Sequence, residues 1–249
     1  MKFTSVAGAF AVAAGLSCMS AEALVGPADE GARFAAHTVM VLKRGTSGAS
    51  YCTGIVIAAD VVLTAGHCVA SAGDTRVHFR DGEGQPVFRS ISAIAIHPLY
   101  RANAVKTRER SIDLALLRLS EKLPERFRPV TFDPAQAVSL GARFRIAGFG
   151  VAREGRGETS GVLRSGLLVA RAPLSAILLW AEDPQQKGLG ACQGDSGGPI
   201  FSEPAGALVA VTSWAEGASG RGCGKLTQAA LIAPQRGWIE DVLQSWRAK

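Results

Sequence analysis

Short apolar runs, separated by polar stretches rich in glycine, proline and aspartate, fill the chain from residue 24 onwards. Their Val, Ile and Leu content and their turn-forming boundaries are typical of strands in an all-β barrel or sandwich. A polar connection with several prolines, near residues 124–134, divides them into two groups. We predict strands near residues 37–44, 53–58, 75–79, 87–96 and 112–119, and near residues 143–149, 162–171, 200–201 and 208–214.

A helical period is convincing only at the C-terminal end. Apolar residues recur there at intervals of three and four, after the turn formers Pro234 and Gly237. These residues are Trp238, Ile239, Val242, Leu243 and Trp246. The pattern predicts one helix within residues 234–249 that packs one face against the strands.

The first 23 residues differ from the rest. Lys2 precedes an apolar stretch at residues 6–16 that is too short to span a bilayer, and Ala-Glu-Ala follows at residues 21–23. This pattern is typical of a cleaved signal peptide and predicts a secreted or periplasmic protein that is free of the membrane after cleavage. A buried N-terminal strand and a membrane anchor are the alternatives.

The cysteines fit an exported protein. Cys18 lies in the signal segment, and Gly15 three positions before it disfavours a lipid anchor. The other four cysteines allow three pairings, and an oxidising compartment favours disulfides over a metal site. They are Cys52, Cys68, Cys192 and Cys223.

The number and distribution of charged residues do not fit a nucleic-acid-binding protein. The chain carries 27 basic and 21 acidic residues, and the resulting net charge of +6 is mild. The basic residues are scattered and lack interleaved aromatic residues, so we expect no nucleic-acid binding.

Three segments carry candidate chemistry. Ser196 lies in Gly-Asp-Ser-Gly-Gly-Pro at residues 194–199, where glycines free the backbone and N–H groups can face a developing oxyanion. His67 ends an apolar run beside Cys68, and Asp113 opens another apolar run, where a buried carboxylate needs a hydrogen-bond donor. Taken singly, each residue is more often a turn, a cap or a packed side chain.

Together, and in this order, the segments resemble those of the chymotrypsin/trypsin family. They are Thr-Ala-Gly-His-Cys at residues 64–68, Asp-Leu-Ala-Leu-Leu at 113–117 and Gly-Asp-Ser-Gly-Gly-Pro at 194–199, with Cys-Thr-Gly at 52–54 and Thr-Ser-Trp at 212–214. The resemblance implies two antiparallel six-stranded Greek-key β-barrels, over residues 24–130 and 131–233, followed by a C-terminal helix at 234–249.

The same resemblance implies the roles of residues in peptide-bond hydrolysis. Ser196 would be the nucleophile, His67 the general base and acid, and Asp113 the residue that orients His67. The N–H groups of Gly194 and Ser196 would bind the oxyanion. Cysteines would pair as Cys52–Cys68 and Cys192–Cys223. Other disulfides frequent in animal relatives have no cysteines here, which makes the chain look like a bacterial member.

Activation by a new N-terminus is also implied. In the family the freed amine pairs with the aspartate before the nucleophile, which is Asp195 here. The matching start is Leu24, directly after the signal-cleavage pattern. We therefore expect signal cleavage itself to create the active N-terminus.

Substrate preference follows from departures at the pocket. The position six residues before the nucleophile is Gly190 rather than the aspartate that selects Lys or Arg, and Ala215 follows Ser213 and Trp214 where glycine is common. We expect small or medium uncharged side chains, with substrate strands pairing to Ser213, Trp214 and Ala215. Lys187 and Arg221 near the pocket leave an acidic preference as the alternative.

Two other functions fit the same sequence. One is a catalytically silent protease-like binding module, and the other is an esterase of small acyl substrates. The expected partners are protein or peptide substrates. We expect a monomer with no cofactor and no metal, although family calcium loops vary.

Overall fold

The computed structural model describes residues 24–46, 48–107, 109–133 and 138–248. The predicted signal peptide at residues 1–23 therefore lies outside the described residues. No helix among the described residues is both long and apolar enough to cross a membrane.

Strands are the predominant regular elements of the described chain. The strands are β1 (Asp29–Glu30), β2 (Thr38–Gly45), β3 (Gly48–Ala58), β4 (Val61–Thr64), β5 (Thr75–Arg80), β6 (Pro86–Ile96), β7 (Ala115–Leu119), β8 (Arg143–Gly148), β9 (Arg164–Ala170), β10 (Leu178–Glu182), β11 (Pro199–Ser202), β12 (Leu208–Glu216) and β13 (Leu226–Leu231). The α-helices are the short α1 (Ala104–Thr107) and the C-terminal α2 (Arg236–Arg247).

Two closed antiparallel barrels have the same topology. The first barrel runs β2-β3-β4-β7-β6-β5 and closes through the pairing of β2 with β5. The second runs β8-β9-β10-β13-β12-β11 and closes through the pairing of β8 with β11, while β1 adds to β9 at its edge. In each barrel the fourth strand lies beside the first of three consecutive neighbours, which is the Greek-key order. The predicted two barrels are confirmed.

Apolar side chains fill both barrels and the seam between them. Inward-facing Val39, Val41 and Val77 are fully buried in the first barrel, and Ile146 and Leu168 are fully buried in the second. At the seam the rings of Phe34 and Phe201 stack with centroids 4.8 Å apart. The apolar cluster at the seam draws residues from both barrels and fixes them against each other, and so fixes any site that draws residues from both.

The predicted C-terminal helix is also confirmed, as α2. Its buried residues Ile239 and Trp246 join the core at the seam, which explains the period of three and four. The ring of Trp238 packs on His97, with centroids 4.7 Å apart. His97 precedes the loop that leads to Asp113, so the helix supports the first barrel next to the predicted site.

Candidate active site

His67 lies in a single 3₁₀ turn, Gly66–Cys68, directly after the buried strand β4. A disulfide from Cys68 to Cys52 on β3 holds this turn. The position of Gly66 is crowded, because a Cβ atom there would lie 3.2 Å from the Asp113 carboxylate and 3.1 Å from the Tyr100 ring. The glycine of the Ala-Gly-His motif thus lets the histidine turn approach the aspartate closely.

Asp113 immediately precedes β7 and reaches back to this turn. Its Oδ2 lies 2.7 Å from His67 Nδ1, and its Oδ1 accepts the backbone N–H of His67 at 3.0 Å. The hydroxyl of Ser213 donates to Oδ2 at 2.5 Å. Burial alone raises the pKa of Asp113, but the hydrogen bonds from His67 and Ser213 outweigh it and hold that pKa below 3.8. Asp113 is therefore a stable carboxylate that favours the proton of His67 on Nδ1.

Ser196 lies in a tight turn at residues 192–198, called here the nucleophile turn. The carbonyl of Ser196 accepts the backbone N–H of Thr53 at 2.8 Å, so this turn of the second barrel is bonded to β3 of the first. Gly194 and Gly197 have φ angles of 96° and 82°, which disfavour any side chain. A Cβ at Gly197 would also collide with Thr53 and Thr64. These glycines allow the turn to lie directly on β3.

Cys68 contacts both the predicted base and the residue of the predicted nucleophile. Its Sγ atom lies 3.7 Å from His67 Nε2 and 3.7 Å from the Ser196 carbonyl. Within the described residues no hydrogen bond joins the Ser196 hydroxyl to His67. Bonds between a nucleophile and its base are often long without substrate and tighten when substrate binds.

Asp195 points away from the nucleophile into a fully buried site. Its carboxylate accepts the N–H groups of Gly150 at 2.8 Å and of Cys192 at 2.9 Å. Burial raises the pKa of Asp195 to about 7, although these two N–H groups and the charge of Arg164 act in the opposite direction. The site around this carboxylate therefore lacks enough positive charge to keep it ionised at low cost.

The segment after the predicted cleavage point lies against the same region. Leu24 is fully buried, and Val25 pairs with Gly190 through two backbone hydrogen bonds of 3.2 Å. The Arg164 guanidinium donates to the carbonyl of Ala28, which holds the segment further along. The N-terminal segment is thus part of the wall that carries Gly190.

Gly190, Ala215 and Thr227 lie together at the predicted substrate pocket. Ala215 and Thr227 are direct partners across β12 and β13. A Cβ on Gly190 would lie 3.4 Å from the Thr227 hydroxyl, which itself accepts the Ala191 N–H at 3.0 Å. A second disulfide, Cys192–Cys223, joins the nucleophile turn to the loop before β13. Sequence reasoning missed Thr227, because no motif marks it and only the strand register brings it to Gly190.

A cleft of about 760 Å³ extends from His67 and Asp113 along the strand that carries Trp214. Trp214, Trp180 and Tyr100 contribute aromatic walls, and Ser213 lies beneath them. Trp180 is a further residue that sequence reasoning missed, since β10 itself was not predicted. The cleft gives an extended chain an apolar surface beside the candidate triad.

The alternative preference for an acidic substrate side chain depends on two cations near the predicted pocket. Lys187 and Arg221 are both exposed, which is the ordinary state of cations on loops.

Ligand atoms of Cys52, Cys68 and His67 lie within 4.8 Å of one another. Both sulfur atoms are in the disulfide, so they are not thiolates that bind a metal ion.

Comparisons with known proteins agree with this arrangement. The family model described as Trypsin matches residues 28–239. A vitellin-degrading protease from Bombyx mori is 29% identical, with 86% of this chain and 83% of that protein aligned. Trypsin 5G1 from Aedes aegypti is 30% identical over 80% of this chain and 77% of its own length.

A solved structure and a human relative give the same picture. Kallikrein-8 from Homo sapiens is 28% identical, with 68% of each chain aligned. The fold resembles that of neuropsin, a serine protease of the mouse limbic system, with a TM-score of 0.66, 21% identity, and 82% of this chain and 93% of that chain covered. These relatives come from insects and mammals and do not support the bacterial likeness suggested by the cysteines.

The matched region includes both barrels and the segments that carry His67, Asp113 and Ser196. Homologues named as proteases align over most of the chain. This chain belongs to the trypsin family and is a serine endopeptidase that hydrolyses peptide bonds.

Proposed function

We propose that Ser196, His67 and Asp113 form the catalytic triad of this endopeptidase. The observation that carries the proposal is the contact of 2.7 Å between His67 Nδ1 and a buried carboxylate of lowered pKa. With its proton on Nδ1, His67 leaves Nε2 free to accept the proton of the Ser196 hydroxyl. The position of Cys68 between His67 Nε2 and the nucleophile turn supports this pairing.

The reaction then follows in two acyl-transfer steps. The Ser196 oxygen attacks the scissile carbonyl while His67 takes its proton, and the carbonyl oxygen becomes an oxyanion that the N–H groups of Gly194 and Ser196 stabilise. His67 gives the proton to the leaving amine, which leaves an acyl-enzyme. Water then attacks the ester, with His67 again the base, and Ser196 is restored. Asp113 stabilises the imidazolium that forms in each step.

We propose that the residue before the scissile bond has a small, uncharged side chain. Thr227 lies beside Gly190, and Ala215 is the cross-strand partner of Thr227, which supports a shallow pocket. No acidic residue occupies the Gly190 position to attract Lys or Arg. Lys187 and Arg221 are solvated on exposed loops, and this weighs against an acidic preference.

We further propose that the protein is exported and that cleavage before Leu24 activates it. The freed amine of Leu24 would pair with Asp195, whose burial without a full counter-charge calls for a cation. Burial of Leu24 and the Val25–Gly190 pairing support an inserted N-terminal segment.

The test uses protein that begins at Leu24, beside a Ser196→Ala variant. An active-site phosphonate should label Ser196 covalently, and a peptide library analysed by mass spectrometry should be cleaved only by the native form. Folded native protein that neither reacts with the phosphonate nor cleaves any peptide would reject the triad. Turnover of small esters without peptide cleavage would reject the assigned substrate class.

A further inference from the structure

Thr53 of the first barrel is hydrogen-bonded to the turn that carries the predicted oxyanion donors. It follows Cys52 on β3 and is fully buried. Its hydroxyl donates to the Gly194 carbonyl at 2.9 Å and accepts the Phe149 N–H at 3.0 Å. Its backbone N–H donates to the Ser196 carbonyl at 2.8 Å. One residue thus bonds to both residues whose N–H groups are proposed to bind the oxyanion.

Other backbone hydrogen bonds fix the orientation of the two peptide planes that carry the Gly194 and Ser196 N–H groups. A trans peptide is planar, so its N–H points opposite to its C=O, and a carbonyl that is held fixes the N–H of the same plane. The Gly194 N–H shares a plane with the Gln193 carbonyl, which accepts the Val151 N–H at 2.9 Å. The Ser196 N–H shares a plane with the Asp195 carbonyl, which accepts the Gly198 N–H at 2.9 Å. Both N–H groups are therefore oriented before substrate binds.

Thr53 holds the carbonyls of Gly194 and Ser196. Its hydroxyl donates to the first, and its backbone N–H donates to the second. Without the hydroxyl, the Gly194 carbonyl and the Phe149 N–H would lose a buried partner, and a peptide with an unsatisfied buried group tends to rotate towards another one. Gly194 has a φ angle of 96°, and the Tyr51 ring of β3 lies where a Cβ of Gly194 would be, so the Thr53 hydrogen bond and the Tyr51 contact together hold this peptide.

Packing also places Thr53 against the nucleophile turn. A Cβ at Gly198 would lie 3.2 Å from the Thr53 methyl group, and a Cβ at Gly197 would overlap the Thr53 carbonyl. The turn therefore rests directly on Thr53. The hydroxyl has one proton and two lone pairs, and the Gly194 and Phe149 bonds use one donor and one acceptor.

We propose that Thr53 is a positioning residue. Its hydroxyl holds the oxyanion-binding N–H groups in their working orientation. The proposal rests on the proposed function of the Gly194 and Ser196 N–H groups. Thr53 touches no substrate in this role and acts through Gly194 and Phe149. Its loss is expected to weaken stabilisation of the transition state more than binding of substrate.

The test compares Thr53→Val, which keeps the shape and removes the hydroxyl, with Thr53→Ser, which keeps the hydroxyl. Thr38→Val is the matched control, since Thr38 is also buried and its hydroxyl also donates to a carbonyl at 2.9 Å, that of Phe34. For Thr53→Val we expect kcat to fall about ten- to a hundred-fold, with KM changed less than about three-fold. Thr53→Ser and Thr38→Val should stay within about three-fold of native kcat.

A second readout reports the oxyanion site directly. A peptide aldehyde forms a hemiacetal with Ser196 and presents an oxyanion, whereas the matching peptide alcohol forms no adduct. In Thr53→Val the aldehyde should lose affinity by about the same factor as kcat, and the alcohol should bind as it does to native protein. Should Thr53→Val fail to fold, Thr53→Ala carries the same comparison, because it removes the hydroxyl with less bulk.

The outcomes separate the two proposals. Active native protein together with unchanged kcat in Thr53→Val would overturn the role of Thr53 alone, as would equal losses in Thr53→Ser or Thr38→Val. Native protein that fails to react with the phosphonate and fails to cleave peptides would overturn the proposed function, and the role of Thr53 with it.

Discussion

In the proposed pocket, Ala215 and its cross-strand partner Thr227 would limit how deep a substrate side chain can enter beside Gly190. Replacing Thr227 by glycine removes the larger of the two. We predict that Thr227→Gly shifts the preferred residue before the scissile bond from alanine or valine to leucine or phenylalanine. The ratio of kcat/KM for phenylalanine over alanine substrates should rise by about ten-fold or more.

The control for this change is Thr75→Gly. Thr75 is equally buried in the first barrel, and its hydroxyl accepts the Ala70 N–H at 3.1 Å, as that of Thr227 accepts the Ala191 N–H. Both variants should lose about 1–3 kcal/mol of unfolding free energy, since each leaves a backbone N–H without its partner. Only Thr227→Gly should change the specificity ratio. An unchanged ratio would mean that Thr227 does not limit the pocket.

The candidate site residues predicted from the sequence lie in contiguous motifs, whereas the residues proposed from the structure depend on strand register. His67, Asp113 and Ser196 stand in segments whose glycines and neighbouring apolar runs are visible without a structure. Thr53 and Thr227 are ordinary strand threonines in the sequence. Their importance arises because β3 bonds to the nucleophile turn and because β13 pairs with β12.

At the scale of elements, β13 shows why some strands were not predicted. Its sequence, Leu-Thr-Gln-Ala-Ala-Leu, is rich in alanine and poor in β-branched residues, so its intrinsic strand preference is low. It forms a strand because β10 and β12 pair with it on both sides. β10 was missed as well, because its sequence Leu-Leu-Trp-Ala-Glu contains no β-branched residue. Tertiary pairing, rather than local preference, defines β10 and β13, whereas the apolar run before His67 forms β4.

The two disulfides join different elements and should have separable effects. Cys52–Cys68 ties β3 to the histidine turn, whereas Cys192–Cys223 ties the nucleophile turn to the loop before β13. We predict that each paired Cys→Ser variant loses about 2–4 kcal/mol of unfolding free energy. Removal of Cys52–Cys68 should chiefly lower kcat, because His67 loses its support. Removal of Cys192–Cys223 should chiefly raise KM, because the pocket wall loosens.

Urea unfolding gives the loss of stability, and steady-state kinetics on one peptide substrate gives kcat and KM for each variant. Each variant serves as the other's control, since both remove one bond of the same kind. If both variants changed kcat and KM in the same proportion, the disulfides would be general supports of the fold rather than supports of separate parts of the site.

At the scale of the whole molecule, the N-terminal segment, the pocket wall and the nucleophile turn form one connected unit. Val25 pairs with Gly190, β1 pairs with β9, and Asp195 bonds to Gly150 and Cys192. The sequence predicted the two barrels and the partnership of Leu24 with Asp195 only through the family resemblance. Composition and periodicity alone left the choice between a barrel and a sandwich open, because seam packing between two half-chains leaves no local signal.

Asp195 gives this unit a dependence on pH that should differ between cleaved and uncleaved protein. With residue 23 still attached, burial raises the pKa of Asp195 to about 7, whereas in the unfolded chain it is near 3.8. Between these values the folded state binds more protons than the unfolded state, so unfolding free energy falls as pH rises from about 4 to about 7. The loss amounts to a few kcal/mol, at about 1.4 kcal/mol per pKa unit.

A free Leu24 amine beside Asp195 would stabilise the carboxylate and lower its pKa. Most of the loss of unfolding free energy between pH 4 and 7 would then disappear. We therefore predict that protein beginning at Leu24 keeps its unfolding free energy between pH 4 and 7, while protein beginning at Ala23 loses stability and cleaves peptides poorly. Urea unfolding at a series of pH values measures the difference. Asp195→Asn in the longer form is the control and should abolish the slope, because it removes the titrating group without changing its size. Equal slopes and equal activities in the two native forms would mean that the amine does not reach Asp195, and that other donors, such as the N–H groups of Gly150 and Cys192, are sufficient to hold it.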